Sequence, residues 1–219
     1  MSDSTPGPPP PGPEVPPTGL PIEEPTGPYP QRFVETLRLF IISPREAFGR
    51  MSISSEILLP LSYALILSIY RAVVDLFWNY LIPFWPWILS DEGESAFVRL
   101  TSGFAGLIIS PILSMIFLVI IAFVIHLVLM MIETGERGFD ATLRVACYAT
   151  TSMLAVAVPI FGGLAALVWW VVLMVFGIAT VHQTSYEKAT LGVVLPFVVC
   201  CASCCGLAAL IGLIVGSSQ

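Results

Sequence analysis

His126 and His182 are the only two histidines in the 219-residue chain, and each lies near the end of a long uncharged run. Imidazole titrates close to neutral pH, so such a pair suits a binding site or a proton relay. Counted from Glu133 and Glu187 at 1.5 Å per residue, they sit about 10 Å and about 7 Å inside their runs. Tyr148 enters the next run at a similar depth, with Glu133, Asp140 and Arg144 above it. The same three side chains would also serve as a hydrogen-bonded clasp joining three helices. Either role requires three apolar segments to end at one level.

Cys200-Cys201-Ala202-Ser203-Cys204-Cys205 suggests zinc or copper. On a helix the four sulfurs spread over an arc of about 140°, too wide to converge on one ion. Cys147 is mismatched in depth, and burial disfavours the thiolate that a metal needs. Small packing residues fit the pattern better, because Ala208, Gly212 and Gly216 continue a small-residue face for helix packing. Redox chemistry and acylation are the remaining readings. Arg71 and Asp75, one turn apart, form an intramembrane ion pair near the far end of the first span. Pairing is their structural reading, and a place on a solute path their functional one. No nucleophile–base pair, phosphate loop or paired catalytic carboxylate is recognisable, so the expectation is no enzyme, no cofactor and no metal.

The elements that must position these residues follow from composition. The chain is 56% hydrophobic and 11% charged, with a mean hydropathy of +0.89, which points to the membrane class. Its net charge of −6 argues against nucleic acid as a partner. Residues 1–30 hold 12 prolines and four acids with no Lys or Arg, so a disordered, proline-rich acidic tail is expected there. Its run Pro8 to Pro11 could dock an aromatic groove or act only as a spacer.

Over 31–54, Phe33, Leu37, Phe40 and Ile41 form an apolar stripe with Arg32, Glu35 and Arg38 off it. Ser43-Pro44-Arg45-Glu46 then reads as a capping box opening a second short helix. An interfacial amphipathic segment is expected, held on headgroups by Arg32, Arg38, Arg45 and Arg50 or packed on the bundle. Five spans follow within 55–216, at about 57–78, 107–132, 143–160, 163–182 and 189–215. The uncharged run from Leu100 to Ile132 would be about 50 Å as one helix, so its part before Pro111 is expected to tilt or lie at the interface. Aromatics Phe77, Trp78, Tyr80, Trp85 and Trp87 read as an interface belt. The fold class is therefore all-α: a polytopic integral membrane protein with five transmembrane helices.

Seven cationic residues (Arg32, Arg38, Arg45, Arg50, Arg137, Arg144 and Lys188) fall on one side of that topology, against Arg99 on the other. The positive-inside rule makes the N-terminus cytosolic and the C-terminus external. Residues 133–144, with five charges and two glycines, become a cytosolic loop.

The order His126, Gly135, Gly138-Phe139, Thr142-Leu143-Arg144-Val145, Tyr148, Pro159, Gly162-Gly163, Trp169-Trp170, Gly177, His182, Ser185, Lys188-Ala189 and Pro196 resembles the Yip-domain family of multi-pass membrane proteins, in particular its bacterial branch. The likeness covers about residues 31–215. It departs at Glu133-Thr134-Gly135-Glu136-Arg137-Gly138, where the family's glycines are closer together, and at Thr151-Ser152, where a proline is usual. The resemblance implies a non-enzymatic scaffold that contacts membrane lipids, associates with itself and, as eukaryotic members do with prenylated GTPases, binds a cytosolic protein in a trafficking-type role. It implies the plasma membrane if the source is bacterial. Candidate partner-binding or polar-layer residues are His126, Glu133, Arg137, Phe139, Asp140, Arg144, Tyr148, His182 and Lys188. The alternative is a small solute or ion transporter or channel passing Arg71, Asp75, His126 and His182.

Overall fold

A computed structural model of the chain describes residues 19–53, 56–81 and 96–217, with side chains described over 19–53, 56–78, 103–199 and 201–203. The chain is all-helical over these residues. Its helices are α1 (Tyr29–Ile42), α2 (Pro44–Arg50), α3 (Leu58–Leu81), α4 (Ala96–Met131), α5 (Gly138–Ala149), α6 (Gly162–Val181) and α7 (Tyr186–Ser217), with a 3-10 segment at Thr150–Ala157 between α5 and α6. Among the described residues, four helices are long and apolar enough to cross a membrane, over Leu58–Trp78, Gly103–Met131, Gly162–Val181 and Tyr186–Ser203.

Several expectations change. The long uncharged run forms one continuous helix, α4, with Pro111 inside it, which begins before the expected span at 107. Proline removes one backbone donor but does not end a helix whose other hydrogen bonds hold. The segment expected as a third span is not a uniform α-helix, because it tightens at Thr150. Thr150 and Thr151 donate their hydroxyls three residues back, to the carbonyls of Cys147 and Tyr148. Eight residues of 3-10 helix exceed the usual run of three or four.

Part of the tail expected over residues 1–30 packs on the bundle, while residues 1–18 lie outside the described residues. Leu20 and Ile22 are fully buried, and α1 begins at Tyr29. Residues 19–28 form a strap across the first helix: Ile22 N–H donates to Thr36 Oγ1 at 2.9 Å, and Arg32 Nη1 donates to the carbonyls of Ile22 and Glu24. Proline-rich composition does not prevent docking here, because two buried aliphatic side chains hold a short stretch.

The capping box at Ser43 does not form. Ser43 makes no side-chain cap, and Glu46 pairs with Arg50 instead. Ser43 joins the two helices through its backbone, donating to Leu39 O and accepting from Ala47 N–H. The resulting bend brings Phe40 and Phe48 to the bundle, with ring centroids 4.9 Å apart. Phe40 stacks on Tyr148 at 5.2 Å, and Tyr148 meets Tyr63 at 5.3 Å. This buried aromatic cluster ties α1 and α2 to α3 and α5.

Close packing of α2 on α6 depends on Gly177. A Cβ there would lie 2.4 Å from Val145 Cγ1 and 2.8 Å from the Phe48 ring. Gly177→Ala is expected to destabilise the fold by about 1–3 kcal/mol through overpacking, read as a lowered Tm in detergent.

Candidate functional site at the capped end of the bundle

The ends of α4, α5 and α6 meet beneath α1 and α2. α4 ends in the turn 132–137, in which Thr134 N–H closes onto Leu129 O and Glu133 adopts φ +56°. α5 then starts at Gly138, whose φ of +80° needs a glycine. Thr142, one turn into α5, is buried between the two histidines. Its hydroxyl lies 3.0 Å from His126 Nδ1 and 3.0 Å from His182 Nε2.

This geometry couples the imidazoles. A threonine hydroxyl has one proton to donate, so when it donates to one ring nitrogen, the other ring must donate to it. The imidazoles stand 6.3 Å apart, and Phe139 packs edge-on against His126 at 5.9 Å. His182 Nδ1 is buried without a protein partner.

Tyr148 does not join the histidine layer. It lies six residues beyond Thr142 on α5 and follow-on packing carries it into the aromatic cluster, where its hydroxyl donates to Glu23 Oε1 at 2.9 Å. Glu23 Oε2 accepts the Ser52 N–H at 2.9 Å. Arg144 is buried and bridges the two groups. Its Nε donates to Asp140 Oδ2 at 2.8 Å and its Nη1 to Ser52 O at 3.4 Å. The capped end thus holds two polar sets: His126–Thr142–His182, and Glu23–Tyr148–Ser52–Arg144–Asp140.

Of the other candidates, Glu133, Arg137 and Lys188 are exposed, and Arg45 lies over the rings of Phe176 and Tyr186 at 4.9 and 5.2 Å. Arg71 Nε donates to Asp75 Oδ2 at 3.4 Å near the opposite end of α3, away from both histidines. Cys147 is buried and Cys201 exposed. The side chains of Cys200, Cys204, Cys205, Ala208, Gly212 and Gly216 lie outside the described residues, as do Tyr80, Trp85, Trp87, Arg99 and the run Pro8 to Pro11.

Thr142 and Glu23 are the residues that pattern reading passed over as site members. Glu23 carried a signal: Leu20-Pro21-Ile22 places two aliphatics beside it in a tail otherwise poor in them.

Burial pushes the Glu23 carboxyl above its ordinary value of 4.5, while the Ser52 N–H, the Tyr148 hydroxyl and the Arg144 charge pull it back. A raised acid favours the fold when protonated. Docking of the strap is therefore strongest below the ordinary value and weakens as pH rises through the folded-state value. Hydrogen exchange at residues 20–24, corrected for intrinsic rates, should show falling protection across that rise, and Glu23→Gln should flatten it. A flat profile in the unaltered protein would assign the strap's stability elsewhere.

The histidine layer, α2 and the four apolar helices lie within one stretch of sequence that the family profile of the Yip1 domain matches, residues 38–208. The chain belongs to the Yip1-domain family. It is a multi-pass membrane protein of a non-enzymatic family. No curated protein and no solved structure matches the chain. In this Yip1-domain protein the strap at 19–28 and most of α1 precede the matched region.

Proposed function

We propose that this Yip1-domain protein is a membrane scaffold whose cap, formed by the strap, α1, α2 and the 132–137 turn, faces the cytosol and recruits a protein partner there. The observation that carries the reading is the cap itself: extramembrane segments distant in sequence are fastened to one end of the bundle by Glu23, Ser52 and Arg144. Such fastening presents a fixed surface rather than a loose loop. The outer flank of α1 leaves Val34, Ile41 and Ile42 exposed beside Arg38, as an interfacial amphipathic helix on anionic headgroups would. The family resemblance favours a GTPase-like partner and self-association.

Five crossings support this orientation. α6 returns from Gly162, packed on Ala155 and Val156, to His182, bonded to Thr142. Residues 142–156 must therefore cover the same depth as α6. Eight α-helical and seven 3-10 residues give about 26 Å, close to a bilayer's hydrocarbon core of about 30 Å. Seven of the nine cationic residues then share the capped side, which the positive-inside rule makes cytosolic.

The transporter reading gains less support. The cavity beside Arg71 and Asp75 includes neither histidine in its lining. Photo-crosslinking from Val34 and Glu136 in native membranes tests the scaffold. Capture of one cytosolic protein from both positions, lost when the strap is deleted, is the expected result. Capture of lipid alone would contradict it.

A further inference from the structure

At the end of the bundle opposite the cap, α3, α4, the 3-10 segment, α6 and α7 line an open-sided cavity of about 870 Å³. It falls within the range of about 300–1,000 Å³ typical of small-ligand sites. Leu113, Phe117, Leu118, Ile121, Leu167 and Phe197 supply apolar walls. Arg71, Asp75, Trp78, Ser110, Ser114 and Ser152 add polar groups to the lining. The Trp78 indole N–H is buried without a protein partner. Asp75 engages the Arg71 Nε, and no hydrogen bond from the terminal guanidinium nitrogens occurs among the described residues. Arg71 and Trp78 thus offer donors in search of an acceptor.

The lip of the cavity is strained. Ile160 lines it at φ +69°, a conformation that a β-branched residue rarely takes and that gathers at ligand clamps. Two residues on, Gly162 packs closely on the 3-10 segment, where a Cβ would lie 2.5 Å from Ala155 O. Apolar walls, donors at Arg71 and Trp78 and a strained lip fit one amphiphile.

We infer that this cavity is a phospholipid site, with an acyl chain against the apolar walls and the phosphate oxygens on the Arg71 guanidinium and the Trp78 N–H. Arginine matches phosphate geometry through its planar fork, and tryptophan prefers the headgroup level. Asp75 keeps its hold on Nε, so the phosphate joins the ion pair instead of displacing it.

Native mass spectrometry of the full chain, extracted in mild detergent and exchanged with dioleoylphosphatidylglycerol or with oleate, tests the site. One phospholipid per chain should persist through delipidation while oleate washes away. Arg71→Gln should weaken retention about tenfold, the loss of one charge-assisted hydrogen-bonded contact. Gly163→Phe should abolish it, since Gly163 lines the cavity with nothing within 4 Å of its Cβ position. Melting curves establish that each variant folds, and Arg71, being half-exposed, decides the matter if Gly163→Phe does not. Equal phospholipid retention by Arg71→Gln and the unaltered chain would overturn the inference, as would retention of oleate alone or of a second copy in place of lipid.

Discussion

Deleting residues 19–28 is expected to lower stability far more than deleting residues 1–18. Leu20 and Ile22 are fully buried, and removing each such side chain from a packed site costs about 2–5 kcal/mol. The deletion also strips the Tyr148 hydroxyl and the Ser52 N–H of their carboxylate acceptor, and each buried polar group left unsatisfied adds about 1–3 kcal/mol. It uncovers Phe40 and the aromatic cluster beneath. Thermal unfolding in detergent should therefore place the Tm of the chain lacking 1–28 well below that of the chain lacking 1–18. Leu20→Ala with Ile22→Ala in the full-length chain should reproduce most of the difference. Equal Tm values for the two truncations would show that the strap does not hold the cap.

The second large effect is expected at Thr142. Thr142→Val keeps the shape of the side chain but removes the hydroxyl shared by His126 and His182. Both rings then lose a partner while remaining buried, at about 1–3 kcal/mol each. Thr142→Ser restores the oxygen and should recover most of the loss. Nitrogen NMR of the two imidazoles separates a hydrogen-bonding role from simple packing. In the unaltered chain the two tautomers are linked through one proton, and in Thr142→Val they become independent. Identical spectra in both proteins would remove Thr142 from the layer.

Much of the bundle is legible in the sequence because its signals are physical and local. Long uncharged runs must be helices in lipid, since every backbone group has to be satisfied internally. The level shared by His126 and His182 follows from counting residues inward from Glu133 and Glu187, and the Arg71 and Asp75 pairing from one helical turn. The parts that were not legible depend on contacts between distant segments. Tyr148 has the same depth whether it turns toward the histidines or toward Phe40, and only packing of α1 over α5 decides. The Thr150-Thr151 pair tightens the helix through its hydroxyls, an outcome that hydropathy does not register. Glu23 acquires a partner 125 residues away, which no periodicity can announce. Ser43 has the residues of a capping box, but Glu46 is drawn to Arg50 instead.

In the proposed topology the capped end faces the cytosol and α5 with its 3-10 extension carries the chain to the other side of the membrane. Single cysteines at Glu136 and Ile160, both exposed, can be placed in a chain otherwise lacking cysteine and labelled with a membrane-impermeant thiol reagent in sealed vesicles of known sidedness. Glu136→Cys is expected to react only from the cytosolic side and Ile160→Cys only from the opposite side. Reaction of both positions from the same side would rule this topology out, because the segment from Gly138 to Ala157 would then not cross the membrane.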